Sequence, residues 1–229
     1  MECKDTYFYH FQQHPEEMNE LITSIEREVK QKFENEGTGH DWWHIDRVRN
    51  NALKLAKKEG ADLQLTELGA LLHDIADHKF HDHDLTVGPK VAKNYVLKHG
   101  GSEGLADAVA QIVDEISFKG AGVDTPVSSK EAACVQDADR LDAIGAIGVA
   151  RAFAYGGANN RLLYHPEVKP NPHDSFDAYV ADKGHTINHF YEKLLLLKDR
   201  MQTKAGIAAA ERRHAFMEKF LEQFYEEWG

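Results

Sequence analysis

The sequence predicts an all-α fold, a helical bundle in a single domain that spans residues 1–229. Apolar residues recur at helical spacing along most of the chain, and no segment shows the strict alternation of apolar and polar residues that is typical of strands. Apolar residues make up 42% of the chain and charged residues 28%, which is an ordinary balance for a globular protein with one substantial core.

Three helices are predicted in the first third of the chain. Pro15 suits the opening turn of the first, at about 15–35, and apolar residues recur in it at every fourth position: Leu21, Ile25, Val29 and Phe33. The second spans about 42–59 and stops at Gly60, because glycine readily adopts the left-handed conformation that ends a helix. Thr66 is the expected cap of the third.

Four more helices are predicted in the middle of the chain. Two lie at about 86–99 and 102–116. The pattern of Ser128 followed by Glu131 is a capping box and opens the next helix. An apolar run over 143–153 continues the helical pattern.

The C-terminal part begins with a predicted loop over 159–174, which holds three of the six prolines. Two long helices follow, at about 176–201 and 204–227. We expect these C-terminal helices, about 176–227, to pack on a core formed by about 40–145.

Net charge and cysteine content exclude several classes of function. The formal net charge is -11, which argues against nucleic-acid binding, because that binding requires Lys and Arg to displace counterions from phosphates. An anionic substrate would need a local positive centre such as a metal ion. The two cysteines, Cys3 and Cys134, are too few for a disulfide framework or a thiolate zinc site, which favours a cytoplasmic location. No apolar run approaches the ~20 residues of a membrane span, so no membrane partner is expected.

One His-Asp pair of five stands out by its surroundings. His73-Asp74 ends the apolar run 68–72, and an ionisable pair at a buried helix end is costly unless a partner such as a metal ion satisfies it. His44 lies among bulky apolar residues, and Asp139 precedes another apolar helix. Taken singly, a buried histidine such as His44 is more often a hydrogen-bonded core residue than a metal ligand. An aspartate in the position of Asp139 often caps the following helix. Sequence spacing alone does not bring these residues together.

Three segments resemble the HD-domain phosphohydrolases in order and context: residues 44–48 (HIDRV), 70–75 (ALLHDI) and 137–142 (DADRLD). Three more resemble the bacterial branch of that family that is thought to act on nucleoside triphosphates: residues 39–44, 116–120 and 143–148. Together the resemblance covers about 20–225. It implies a helical domain of the HD type and a metal-dependent phosphohydrolase.

The resemblance also implies roles for single residues. His44, His73, Asp74 and Asp139 would bind one divalent ion. Their mixed nitrogen and oxygen donors suit an octahedral ion such as Mn, Mg, Fe, Ni or Co. Asp77 is the carboxylate expected to orient the attacking water or to take its proton. The candidate contacts to phosphate are Arg47, Lys119 and Lys193, although Arg47 could equally pair with a nearby acid.

The implied substrate is a phosphorylated small molecule, a nucleoside triphosphate that is cleaved to monophosphate and pyrophosphate. Alternatives are another HD activity, such as a nucleotidase or a cyclic-nucleotide phosphodiesterase, and a nucleotide-sensing HD domain without turnover. Many dinuclear HD phosphodiesterases have extra His ligands between the His-Asp pair and the last Asp. Here His99 is the sole histidine between 85 and 138, so the resemblance favours one ion over two. The sequence leaves open whether a polar loop with His78, His81 and His83 joins the site. The sequence leaves monomer and homodimer open.

Overall fold

A computed structural model describes residues 14–34, 41–76, 86–116, 124–171 and 184–229. Within these ranges the regular structure is helical throughout, which confirms the all-α prediction. The α-helices are Pro15–Phe33 (α1), Trp42–Glu59 (α2), Leu63–Leu72 (α3), Val87–Lys98 (α4), Glu103–Ile116 (α5), Lys130–Asp142 (α6), Gly145–Ala158 (α7), Thr186–Glu192 (α8) and Lys204–Trp228 (α9). A 3-10 helix over Leu194–Arg200 connects α8 to α9.

Helix α2 has the bounds that the sequence predicts, because local signals fix both of its ends. The Asp41 side chain accepts a hydrogen bond from the backbone N–H of His44, and Gly60 ends the helix in the left-handed conformation with φ 68°. This N-cap places His44 in the first turn of α2, where its side chain is buried.

Two predicted caps are wrong. Asp62, not Thr66, caps α3, and Thr66 is a buried residue inside that helix whose hydroxyl donates to the Asp62 carbonyl. Ser129, not Ser128, caps α6 by accepting a hydrogen bond from a first-turn amide. In each case the two candidates lie close together in sequence, and the hydrogen bond to a first-turn amide identifies the residue at the boundary.

The two C-terminal helical predictions need correction as well. The predicted helix over 176–201 is interrupted at Lys193, whose φ of -141° and ψ of -60° are not helical. Its first part, 176–183, lies outside the described residues. After Lys193 the chain forms a 3-10 helix, in which residues three apart share a face, and this buries Leu194 and Leu197 together.

The apolar run at 143–153 belongs mostly to a helix of its own, α7. Ile144 has an extended backbone, and Gly145 follows with φ +79°, a conformation that favours glycine. Helix α7 therefore begins after a sharp turn, which brings its N-terminus next to the C-terminus of α6.

Two hydrophobic clusters fill the interior, and α2 and α3 contribute to both. Trp42 and Ile45 belong to the cluster that also contains α1, α4 and α5 residues, while Val48 and Leu55 belong to the cluster formed with α6, α8 and α9. Helix α9 packs against α2, α6 and α7. The prediction of a single domain over 1–229 stays a prediction. Among the described residues, no helix is long and apolar enough to cross a membrane.

Candidate metal centre

His73 and Asp74 lie where α3 ends, as the sequence predicts. His73 is buried, and its Nδ1 lies 2.7 Å from the backbone carbonyl oxygen of Ala70. A carbonyl oxygen only accepts hydrogen bonds, so Nδ1 must carry the proton and donate. The other ring nitrogen of His73, Nε2, is left with a lone pair.

His44 is oriented in the same way by a different group. Its Nδ1 lies 2.8 Å from Oδ2 of Asp142, a buried carboxylate at the end of α6. Asp142 also accepts two hydrogen bonds from Arg47, from Nε at 2.7 Å and from Nη2 at 3.0 Å, and one from Nη1 of Arg151 at 2.9 Å. Because the carboxylate is surrounded by donors, Nδ1 of His44 donates to it and Nε2 carries the lone pair.

The nitrogens that carry these lone pairs lie close to each other and to two carboxylates. The Nε2 atoms of His44 and His73 lie 3.2 Å apart. An Asp74 oxygen lies 3.3 Å from the His44 Nε2 and 3.5 Å from the His73 Nε2. An Asp139 oxygen lies 3.6 Å and 4.0 Å from the same two nitrogens.

The distances among His44, His73 and Asp139 are compatible with three corners of an octahedron. For bonds of about 2.1 Å, neighbouring ligand atoms lie ~3.0 Å apart and opposite ones ~4.2 Å apart. The 3.2 Å between the two histidine nitrogens is close to the first value, the 4.0 Å between Asp139 and His73 is close to the second, and the 3.6 Å between Asp139 and His44 lies between them. Two nitrogen lone pairs at 3.2 Å repel each other unless a cation or a proton lies between them. His44, His73 and Asp139 thus form a possible site for a divalent ion, with Asp74 beside them.

Burial divides the four residues into a protected side and an accessible side. His44 is 1% exposed, whereas the side chains of Asp74 and Asp139 are 20% and 36% exposed. Both carboxylates therefore border solvent, and the imidazoles form the inner wall.

The charges around Asp142 keep that group ionised. Burial raises its pKa, but the hydrogen bonds from His44 and Arg47 and the nearby charge of Arg151 outweigh burial, and the pKa of Asp142 lies well below its usual range. Burial lowers the pKa of His44, while the hydrogen bonds to Asp142 and Asp74 raise it, with a net shift above its usual value. A proton and a metal ion therefore compete for His44.

The sequence predicts two alternative roles for Arg47: a direct contact to phosphate, or an ion pair with a nearby acid. The structure shows the pairing, because two nitrogens of Arg47 bind Asp142. Lys193 lies half-buried at the C-terminal end of α8, and its role stays a prediction. Asp77 and Lys119 lie outside the described residues, as does the loop with His78, His81 and His83.

Asp142 and Arg151 are the residues that sequence reasoning missed. A signal was present, because Asp142 follows Asp139 by three residues on α6 and Arg47 follows His44 by three on α2. Residues three apart lie next to each other on a helix. Where α2 and α6 face each other, the candidate ligands His44 and Asp139 can therefore lie in one layer, and the supporting residues Arg47 and Asp142 in the next. The nearby Asp137 has a different task, since it binds the backbone N–H groups of Gln202 and Thr203.

Comparisons with known proteins agree with this picture. The family model for the HD domain matches residues 42–144. The curated uncharacterized protein YpgQ of Bacillus subtilis is 40% identical over 199 residues, which cover 85% of this chain and 87% of that protein. Its crystal structure in complex with ADP aligns with a TM-score of 0.73 at 34% identity, over 92% of this chain and 96% of the other.

Two further crystal structures are similar over nearly the whole chain. A Lactobacillus plantarum protein aligns with a TM-score of 0.80 at 37% identity, covering 91% of this chain and 96% of that one. An HD-superfamily hydrolase from Bacillus thuringiensis aligns with a TM-score of 0.71 at 40% identity, covering 92% and 98%.

Proposed function

Because this chain belongs to the HD-domain family of metal-dependent phosphohydrolases, we propose that it hydrolyses a nucleoside triphosphate between the α and β phosphates. The products would be a nucleoside monophosphate and pyrophosphate. The observation that carries the hydrolase assignment is the convergence of the two Nε2 lone pairs of His44 and His73 with the carboxylates of Asp74 and Asp139. Support for a nucleotide comes from YpgQ, which was crystallised with ADP. Cleavage between the α and β phosphates rests on the resemblance of residues 39–44, 116–120 and 143–148.

In this proposal His44, His73, Asp74 and Asp139 hold one divalent ion, which is Mn, Mg, Fe, Ni or Co. When bound, such an ion supplies a Lewis acid that polarises a phosphoryl oxygen and makes water more acidic. It also supplies local positive charge on a protein of net charge -11, which a polyanionic substrate requires. Four protein ligands leave part of an octahedral shell for other groups.

The remaining residues position and activate the reactants. Asp142 holds His44 in the tautomer that presents Nε2, and Arg47 and Arg151 hold Asp142 in turn. We assign to Asp77 the orientation of the attacking water and the acceptance of its proton. The water oxygen forms the new bond to the α phosphorus, the bond from that phosphorus to the bridging oxygen breaks, and pyrophosphate leaves. Lys119 and Lys193 are the proposed cationic contacts to the phosphates.

A panel of nucleoside tri-, di- and monophosphates and cyclic nucleotides tests the proposal, with Mn or Mg present and pyrophosphate and phosphate measured separately. Wild-type protein should release pyrophosphate and monophosphate in equal amounts from triphosphates, and Asp74→Ala should release neither. Asp46→Asn is the matched control, because this α2 carboxylate accepts a hydrogen bond only from nearby Asn50 among the described contacts. That variant should keep wild-type rates.

The other outcomes identify the alternatives. Phosphate from monophosphates alone would indicate a nucleotidase, and opening of cyclic nucleotides would indicate a phosphodiesterase. If metal binds and no nucleotide is hydrolysed, the chain is a nucleotide-sensing domain.

A further inference from the structure

We propose that an open cavity bordered by α2, α9 and the junction of α6 and α7 binds a phosphate-type anion at a site distinct from the ion site. The cavity has a volume of about 460 Å³. Its polar lining comes mainly from one face of α2, with Arg47, Asn50, Asn51 and Lys54 at helical spacing, and from Arg213 of α9. This inference does not depend on the reaction proposed above.

The lining is positively charged on a strongly acidic chain. Arg47, Lys54 and Arg213 contribute three cations, and Asp142 contributes the one carboxylate of the described lining. Lys54 is exposed, and its ammonium makes no ion pair with any described residue. On a protein of net charge -11, this local positive charge favours the binding of an anion at the cavity.

The N-terminus of α7 adds backbone donors to the same cavity. Ala146 and Ile147, in the first turn of this 14-residue helix, line the cavity. First-turn N–H groups have no acceptor inside their own helix, and no described side chain caps α7. The partial positive charge at a helix N-terminus therefore reinforces the charge of the side chains.

The Arg213 side chain packs closely against Gly145, where no Cβ is present. A Cβ on Gly145 would lie 3.0 Å from Cβ and 3.1 Å from Cγ of Arg213, so a larger residue would displace the arginine stem. The guanidinium donates one hydrogen bond to the backbone carbonyl of Leu141. A guanidinium has five N–H donors, so this anchor fixes the group and leaves donors for a ligand.

The cavity and the ion site lie on opposite sides of His44. Asp142 lines the cavity and binds Nδ1 of His44, whereas the Nε2 of that ring faces Asp74 and Asp139. The imidazole and the Asp142 carboxylate therefore separate the two sites. An anion in the cavity contacts Arg47, which also binds Asp142, without contacting the ion.

Calorimetric titration of pyrophosphate into metal-free protein, with a chelator present, tests the site directly. Wild-type protein should bind, and Lys54→Glu should weaken binding by about tenfold or more, because a charge-assisted contact becomes a repulsive one. Lys219→Glu is the matched control, because this exposed α9 lysine lies outside the cavity and the variant changes the net charge equally. It should bind within about twofold of wild type.

Asp139→Ala separates this site from the metal centre, and it should bind pyrophosphate as wild type does. No binding without metal, loss of binding in Asp139→Ala, or equal weakening by Lys54→Glu and Lys219→Glu would each overturn the proposal. A metal-free competition with ADP then identifies the source of the anion. Displacement of pyrophosphate by ADP indicates that the cavity accepts the phosphates of a nucleotide, and no displacement indicates a free inorganic anion.

Discussion

Replacing Asp142 by asparagine would test whether the layer behind the ion site controls metal binding. The carboxylate accepts four hydrogen bonds, one from His44, two from Arg47 and one from Arg151. Asparagine has a single oxygen acceptor and no charge, so Asp142→Asn cannot satisfy all of these donors. If its NH2 group faces His44, it donates to Nδ1 and moves the ring proton to Nε2, where it blocks metal binding.

We expect Asp142→Asn to weaken metal binding by about 10- to 100-fold, which is the usual effect of losing the partner that orients a metal ligand. This loss corresponds to about 1.4 to 2.8 kcal/mol of binding free energy. The unfolding free energy should fall by about 1–3 kcal/mol. That loss is moderate because the side chains of Arg47 and Arg151 are 34% and 19% exposed, so water can replace part of the lost contact.

Competition with a fluorescent chelator would measure the metal affinity, and urea unfolding followed by circular dichroism would measure stability. Asp137→Asn is the control, because this buried α6 carboxylate binds Gln202 and Thr203 and contacts none of the four candidate ligands in the described structure. It should lower stability and leave metal affinity unchanged in the folded protein. Equal metal affinities for Asp142→Asn and wild type would refute the reasoning.

Four further predictions concern the ligands, the water, the pH dependence and the buried thiol. Asp139→Ala should lose metal and activity while keeping its helical circular dichroism, and full activity would remove Asp139 from the site. Asp77→Asn should lower kcat more than metal affinity, and equal losses would make its role structural. The pKa of Asp142 is depressed in the folded protein, so the contribution of this carboxylate to stability is complete above pH ~4 and is lost as the pH falls further. The difference in unfolding free energy between wild type and Asp142→Asn should therefore narrow between pH 7 and pH 3. A constant difference would contradict this. Burial raises the pKa of Cys134 to about 12, so in a Cys3→Ser background iodoacetamide should modify it only after unfolding, as mass spectrometry would show.

The parts of the fold that could be predicted are those fixed by short-range signals. Helix α2 begins and ends where the sequence indicates, because Asp41 and Gly60 act on backbone groups within a turn of themselves. The break at Lys193 could not be predicted in this way. The four leucines after it fit an α-helix as well as a 3-10 helix, and the choice depends on which of them face the core formed with α9.

The same distinction holds for the candidate site. The surroundings of His73-Asp74 could be predicted, because an ionisable pair that ends an apolar run is a local anomaly. Asp142 and Arg47 could not be assigned to each other, since they are 95 residues apart and each is ordinary in its own helix. Their pairing depends on the packing of α2 against α6, which the sequence pattern does not specify.

The position of the site between two hydrophobic clusters explains why its geometry can be rigid although its residues are polar. In α2, Ile45 is completely buried in one cluster and Val48 in the other, and His44 lies at the boundary between them. Neither cluster can shift α2 without disturbing the other, because interiors are closely packed. The energetic cost of placing imidazoles and a carboxylate at this boundary is offset when every donor and acceptor has a partner. Asp142 supplies that partner on the inner side of His44, and a bound cation would supply it on the outer side.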